Sequence, residues 1–176
     1  MKARIRHAVL VLLAVASAFI PSASMADRTR VVDTPAHDSE SAAFDIEWVK
    51  HGHAGRKLSH VISTYDTWRV ADLGDNGTFQ INISPGADTP ASIRRIIVIY
   101  LEGSKLAAKM YNVSNGSEVE GYPEVSRPTS RSVRVTFPKR WVRRGIDAYR
   151  WEALFAEQST EDIVPSDESS ILHRLN

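Results

Sequence analysis

The segment FDIEWVKHGHAGRKLSHVISTY, residues 44–65, holds two alternating runs around one glycine-centred break, and its reading decides the fold. In FDIEWVKH, Phe44, Ile46 and Trp48 recur at every second position with Asp45 and Glu47 between them. Side chains of an extended chain point to opposite faces in turn, so this pattern predicts a half-buried strand. LSHVISTY, residues 58–65, predicts a second strand, with Leu58 and Ile62 on its apolar face. The intervening AGR, flanked by His53 and Lys57, reads as a hairpin turn in which Gly55 is free to take a positive φ.

That turn length sets a parity. Even positions then oppose even positions, which turns Phe44, Ile46, Trp48, Leu58, His60 and Ile62 inward and His51 and His53 outward. Three of the six histidines fall within HGHAGRKLSH, yet this register divides them across the sheet, where they cannot share one ion. His51 and His53 remain a weak two-imidazole surface pair of the kind zinc or copper accepts. His60 is expected to be a core-edge histidine whose ring nitrogens need partners.

Downstream the alternation recurs. TFQINIS (78–84) places Phe79, Ile81 and Ile83 inward, and SVRVTF (132–137) does the same with Val133, Val135 and Phe137. RRIIVIYL (94–101) is apolar on both faces, as a central strand is, and KLAAKMYNV (105–113) follows a turn at Glu102–Gly103–Ser104. DAYRWEALFA (147–156) puts Tyr149, Trp151, Ala153 and Phe155 on one face. About seven or more strands with Gly, Asn, Pro and Asp turns, and only one short helical turn at 138–145, predict an all-β fold, an antiparallel β-sandwich.

The N-terminus carries an export pattern. Lys2, Arg4, Arg6 and His7 precede an apolar run from Ala8 to Ile20, and Ser24 and Ala26 supply the small residues of a cleavage site. We read residues 1–26 as a signal peptide cut after Ala26, or alternatively kept as an anchor, and expect a secreted, extracellular chain. Residues 27–42 read as a flexible leader, 43–157 as one sandwich domain, and 158–176 as an acidic, mostly disordered tail. The remaining sequence contains no second apolar run long enough to cross a membrane as a helix.

Twenty-two basic residues against 21 acidic ones give a net charge of +1; without Lys2, Arg4 and Arg6 it becomes −2, so global charge selects no partner. The absence of cysteine excludes thiolate catalysis, iron–sulfur clusters and cysteine zinc sites, and leaves the core alone to hold an exported domain together.

The motif FDIEWVKHGHAGRKLSHVISTYDTW (44–68), with its early Asp45-Ile46-x-x-Val49 strand, tight turn, Leu58-x-His60-x-Ile62 strand and an aromatic last strand, resembles the small secreted bacterial proteins of DOMON-like or family-9 carbohydrate-binding-module-like type. The resemblance spans about residues 43–157. It implies a jelly-roll-like sandwich with a binding role and assigns no ligand residue. Haem-binding members use a Met and a His as axial ligands, for which only Met110 and His60 stand within the domain; no cofactor is expected.

Candidate sites follow from residue chemistry. The sequence carries no G-x-S-x-G, H-E-x-x-H or Gly-rich phosphate loop, and no enzyme is expected. Asp45 and Glu47 on one strand face are a candidate acid–base pair, and such alternating acids are ordinarily solvated. In YDTWRVADLGDNG (65–77), Trp68 beside Asp66, Asp72, Asp75 and Asn76 could form a sugar platform if the indole is exposed. Asp72, Asp75 and Asn76 also offer hard oxygen ligands of the kind calcium takes, without a complete calcium motif. Arg131, Arg134, Arg140, Arg143 and Arg144 could hold a polyanion if they share a face. The reading is therefore a secreted non-catalytic binding or structural module. The alternatives are a domain that binds carbohydrate or an anionic envelope polymer and a histidine-based metal-binding protein. Nucleic acid is not an expected partner.

Overall fold

The computed structural model describes residues 30–32, 42–86, 94–119, 121–142, 146–157, 160–164 and 171–175. The signal segment lies outside these residues. In chain order the strands are β1 (Arg30–Val32), β2 (Ile46–Ala54), β3 (Lys57–Thr64), β4 (Thr78–Pro85), β5 (Arg95–Glu102), β6 (Lys105–Asn112), β7 (Glu124–Thr129), β8 (Ser132–Pro138), β9 (Ala148–Glu157), β10 (Thr160–Val164) and β11 (Ile171–Arg174). They make two antiparallel sheets. One has the order β1-β2-β3-β8-β7; the other runs β10-β9-β4-β5-β6, with β11 also on β9. The fold is an all-β sandwich whose inner faces meet in one apolar core.

The alternating runs fill that core as expected. Phe79, Ile81 and Ile83 from β4, Val133, Val135 and Phe137 from β8, and Tyr149, Trp151, Ala153 and Phe155 from β9 are all buried. At one end of the sandwich Phe44 stacks on Phe155 (centroids 4.5 Å apart) and lies 5.6 Å from Trp68, closing an aromatic cluster. Within the helical turn expected at 138–145, the described residues form a 3-10 turn at Lys139–Trp141, and residues 143–145 fall outside the described set.

The parity of β2 departs from the expectation. Its ladder to β3 pairs Ile46 with Thr64 but Trp48 with Ser63, so a bulge at Glu47 inserts one residue. Beyond the bulge Val49, not Trp48, enters the core. Trp48 is half-buried and lies under the Arg30 guanidinium, 4.8 Å from its ring centre. The hairpin turn is also one residue shorter than read. Ala54 pairs with Lys57, leaving Gly55 (φ 57°) and Arg56 as a two-residue connection. Odd positions of β2 therefore face even positions of β3: Val49 opposes Ile62, His51 opposes His60, and His53 opposes Leu58.

Two segments expected to be loose carry strands. β1, in the leader, adds to the edge of β2. In the tail, β10 pairs with residues 153–157 of β9 and β11 with residues 148–151, so the two short strands lie end to end along one edge. Their buried side chains explain the docking: Val164 and Leu175 enter the core together with the polar Asp162 and His173, and Leu175 N–H donates to the Asp147 carbonyl at 2.7 Å. An acidic composition does not keep a segment loose when every second side chain can enter a core.

Candidate metal centre

The corrected register brings together what the expected one divides. Past the bulge, His51 and His53 both point from β2 into the space between the sheets, and His60 points inward from the opposite position on β3. β9 contributes Tyr149 from the facing sheet, and β11 contributes His173. Four of the six histidines thus meet at the end of the sandwich opposite the Phe44–Phe155 stack.

The distances are short. His51 Nδ1 lies 3.2 Å from His60 Nε2 and 2.7 Å from Tyr149 Oη, which is itself 3.2 Å from His60 Nε2. His53 Nδ1 lies 3.3 Å from His173 Nε2, and the His51 and His173 rings have centroids 3.8 Å apart. One nitrogen from each of His51, His53 and His173 falls within 4.8 Å of the other two. Two nitrogens bound to one zinc ion at about 2.0–2.1 Å in tetrahedral geometry stand about 3.3–3.4 Å apart, so the His53–His173 spacing already suits a shared ion, and the other pairs, within 4.8 Å, would close onto it by side-chain rotation.

Burial sets the electrostatics. His51 and His60 are inaccessible to solvent, His173 is 1 % exposed, and His53 is half-buried, which makes it the member nearest the surface. Burial, then the neighbouring His60, His173 and His53, hold the His51 imidazole far below its ordinary value. Burial, with His173 adding to it, lowers His60 to about 3. Burial also pushes the Tyr149 phenol well above its ordinary value of 10. At neutral pH His51 and His60 are therefore uncharged, the form of imidazole that donates a lone pair to a metal. His60 Nδ1 has no hydrogen-bond partner among the described residues. Packing this many polar rings where aliphatic side chains would fit costs desolvation energy that their mutual contacts only partly return.

The other candidates fare differently. Trp68 is 3 % exposed; its ring is packed by Phe44 and Phe79 and covered by the Arg127 guanidinium, 3.9 Å from its centre. It cannot offer a face to a sugar, because the aromatic cluster has more surface to bury than the loop does. Asp66, Asp75 and Asn76 remain exposed around it, while Asp72 is occupied by Arg69, with contacts of 2.8–3.3 Å. Asp45 is buried and Glu47 faces Arg131 at 3.5 Å, so the two carboxylates do not share a solvated face. The described arginines of that set, Arg131, Arg134 and Arg140, stand apart from one another. Arg131 is held by Glu47 and by the Tyr65 carbonyl, and Arg140 sits beyond the far end of β8. Arg134 alone, beside Lys50 and Lys57, lines a shallow groove on the outer face of the first sheet, and Arg143 and Arg144 lie outside the described residues. Met110 is on β6, three strands along from β9, or about 14 Å at ordinary strand spacing, so it cannot share a haem iron with His60, which touches β9.

His173 and Tyr149 are absent from the sequence-based site. A signal for His173 exists: in ILHRL, Ile171, His173 and Leu175 alternate with Leu172 and Arg174, so the histidine shares a face with two apolar residues. Tyr149 was already on the inward face of its strand, but nothing local says which residues it meets.

Compared with known proteins, the chain matches no family model, no curated protein and no solved structure.

Proposed function

We propose that this protein binds a late divalent transition metal, zinc or copper, through His51, His53 and His173, with His60 and Tyr149 packed behind His51. One observation carries the reading: ligand nitrogens from three separate positions lie within 4.8 Å of one another in a largely buried site. The chemistry supports it. Imidazole is a good ligand for both metals, and a chain without cysteine has no thiolate to offer in its place. The uncharged state of His51 spares a binding ion the work of displacing a proton there. Three nitrogens leave a fourth position for water or a small ligand, the arrangement that suits an exported chain acting as a metal carrier or sensor as well as a Lewis acid.

The experiment is a calorimetric titration of chelator-treated protein with zinc and with copper. One ion per chain at a Kd at or below about micromolar is expected, with binding lost in His53→Ala and in His173→Ala. Binding that survives both substitutions, or no binding of either metal, overturns the proposal.

A further inference from the structure

The three nitrogens come from different sheets. His51 and His53 leave β2 in the first sheet, whereas His173 leaves β11, the four-residue strand at the edge of the second. Apart from the buried His173 and the adjoining buried Leu175, a short ladder holds β11. Its ladder covers only Ile171 to Arg174 against the first part of β9, and the Leu175–Asp147 hydrogen bond extends it by one residue. Ile171 and Leu172 are half-buried, and Arg174 is exposed. Short edge elements open at a lower free energy than the body of a domain. The other two nitrogens sit on a nine-residue strand paired along its length with β3 and, at Trp48, Val49 and Lys50, with β1.

We propose that the ion regulates the attachment of this last strand: bound metal clasps β11 to β2 across the two sheets, and loss of the metal lets β11 leave β9. The inference rests on the metal-binding reading above. Its physical basis is linkage. An ion that needs all three nitrogens binds only while β11 is docked, so it favours the docked state by its own binding free energy. The coupling is reciprocal: whatever displaces β11 from β9 weakens the site and releases the ion. The metal then acts as an input and the exposed edge of β9, residues 148–151, as the output.

Hydrogen exchange of the full chain, with zinc and with a chelator, tests this when zinc content is measured on the same samples. With free zinc at a hundred times its Kd, amides of residues 171–174 are expected to exchange about a hundredfold more slowly. Amides of β7, an edge strand of the first sheet remote from the site, are expected to keep their rates. In His53→Ala, which keeps every β11 residue but removes the 3.3 Å His53–His173 contact, the difference in β11 exchange between zinc and chelator is expected to disappear. Zinc bound at one per chain with unchanged exchange in β11 overturns the clasp and leaves the metal site standing. Protection of β11 by zinc that persists in His53→Ala also overturns it. Absence of any bound zinc or copper removes the metal reading and the clasp together.

Discussion

His51 and His60 stand directly opposite each other on adjacent strands, with ring centroids 4.5 Å apart and nitrogens 3.2 Å apart, and both are fully buried. A cross-strand pair of this kind is normally filled by two aliphatic or aromatic side chains, whose contact stabilises a sheet without needing hydrogen-bond partners. Here the partners are supplied by the facing sheet, through the Tyr149 hydroxyl. That relationship makes the imidazole end of the core sensitive to small chemical changes.

Tyr149→Phe is the smallest of them. It keeps the ring in place and removes only the hydroxyl that touches His51 and His60. The expected cost in stability is about 0.5–1.5 kcal/mol, read from chemical denaturation of metal-free protein. Metal affinity is expected to fall about tenfold or more, because a group behind a ligand fixes its orientation. Unchanged affinity would show that the hydroxyl has no part in orienting His51.

Acid should destabilise the metal-free protein earlier than carboxylate titration alone would. The folded value of His60, about 3, lies below its ordinary 6.5, and His51 is displaced in the same direction. Below about pH 6.5 the unfolded chain therefore takes up protons that the folded chain refuses, and unfolding is favoured. Stability is expected to be flat above that pH and to fall steadily as pH drops from about 6.5 toward 3. Melting temperatures measured between pH 7.5 and 5 with chelator present, above the range where most carboxylates titrate, check it. A level profile over that interval contradicts the burial of these rings.

The two tryptophans that the alternation treated alike should respond differently. Trp151 is fully buried between the sheets, and Trp151→Ala is expected to cost about 3–5 kcal/mol. Trp48, turned outward by the bulge and covered by Arg30, should lose about 1 kcal/mol or less when truncated, a cation–π contact at a half-exposed site. Equal losses in urea denaturation would place the bulge elsewhere.

Gly77→Ala should be costly for a steric reason. A Cβ there would meet the Leu73 carbonyl oxygen at 2.3 Å, and that oxygen already accepts the Gly77 N–H at 3.1 Å. Backbone cannot move aside as a side-chain tip can, so a loss of about 1–3 kcal/mol is expected, measured by thermal or urea denaturation against wild type.

Most of the sandwich was legible because its strands obey period two without interruption: β4, β8 and β9 sort their inward residues by alternation alone. The site was not, and the reason is specific. A single bulge at Glu47 reverses the parity of everything after it on β2, and bulges answer to cross-strand packing and twist, which local composition does not encode. The two-residue turn at Gly55–Arg56 is consistent with that reversal, but AGR reads equally well as three residues. His173 was hidden by composition. The acidic stretch before it made the tail look solvated, and ILHRL, with Leu172 on its other face, alternates less clearly than TFQINIS. Trp68 shows the converse case, a polar loop whose aromatic residue is drawn inward by Phe44 and Phe79.

The end-to-end arrangement of β10 and β11 has a consequence for solubility. β9 is ten residues long, and its uncovered edge would offer an extended row of backbone donors and acceptors to any passing chain. Covering it with one long strand would only move that row outward. Two strands of five and four residues, paired to either side of Glu152, break the new outer edge into pieces too short to template a fibril. If β11 detaches, the broken edge gives way to bare backbone, and the protein's tendency to self-associate becomes a function of how much metal its surroundings contain.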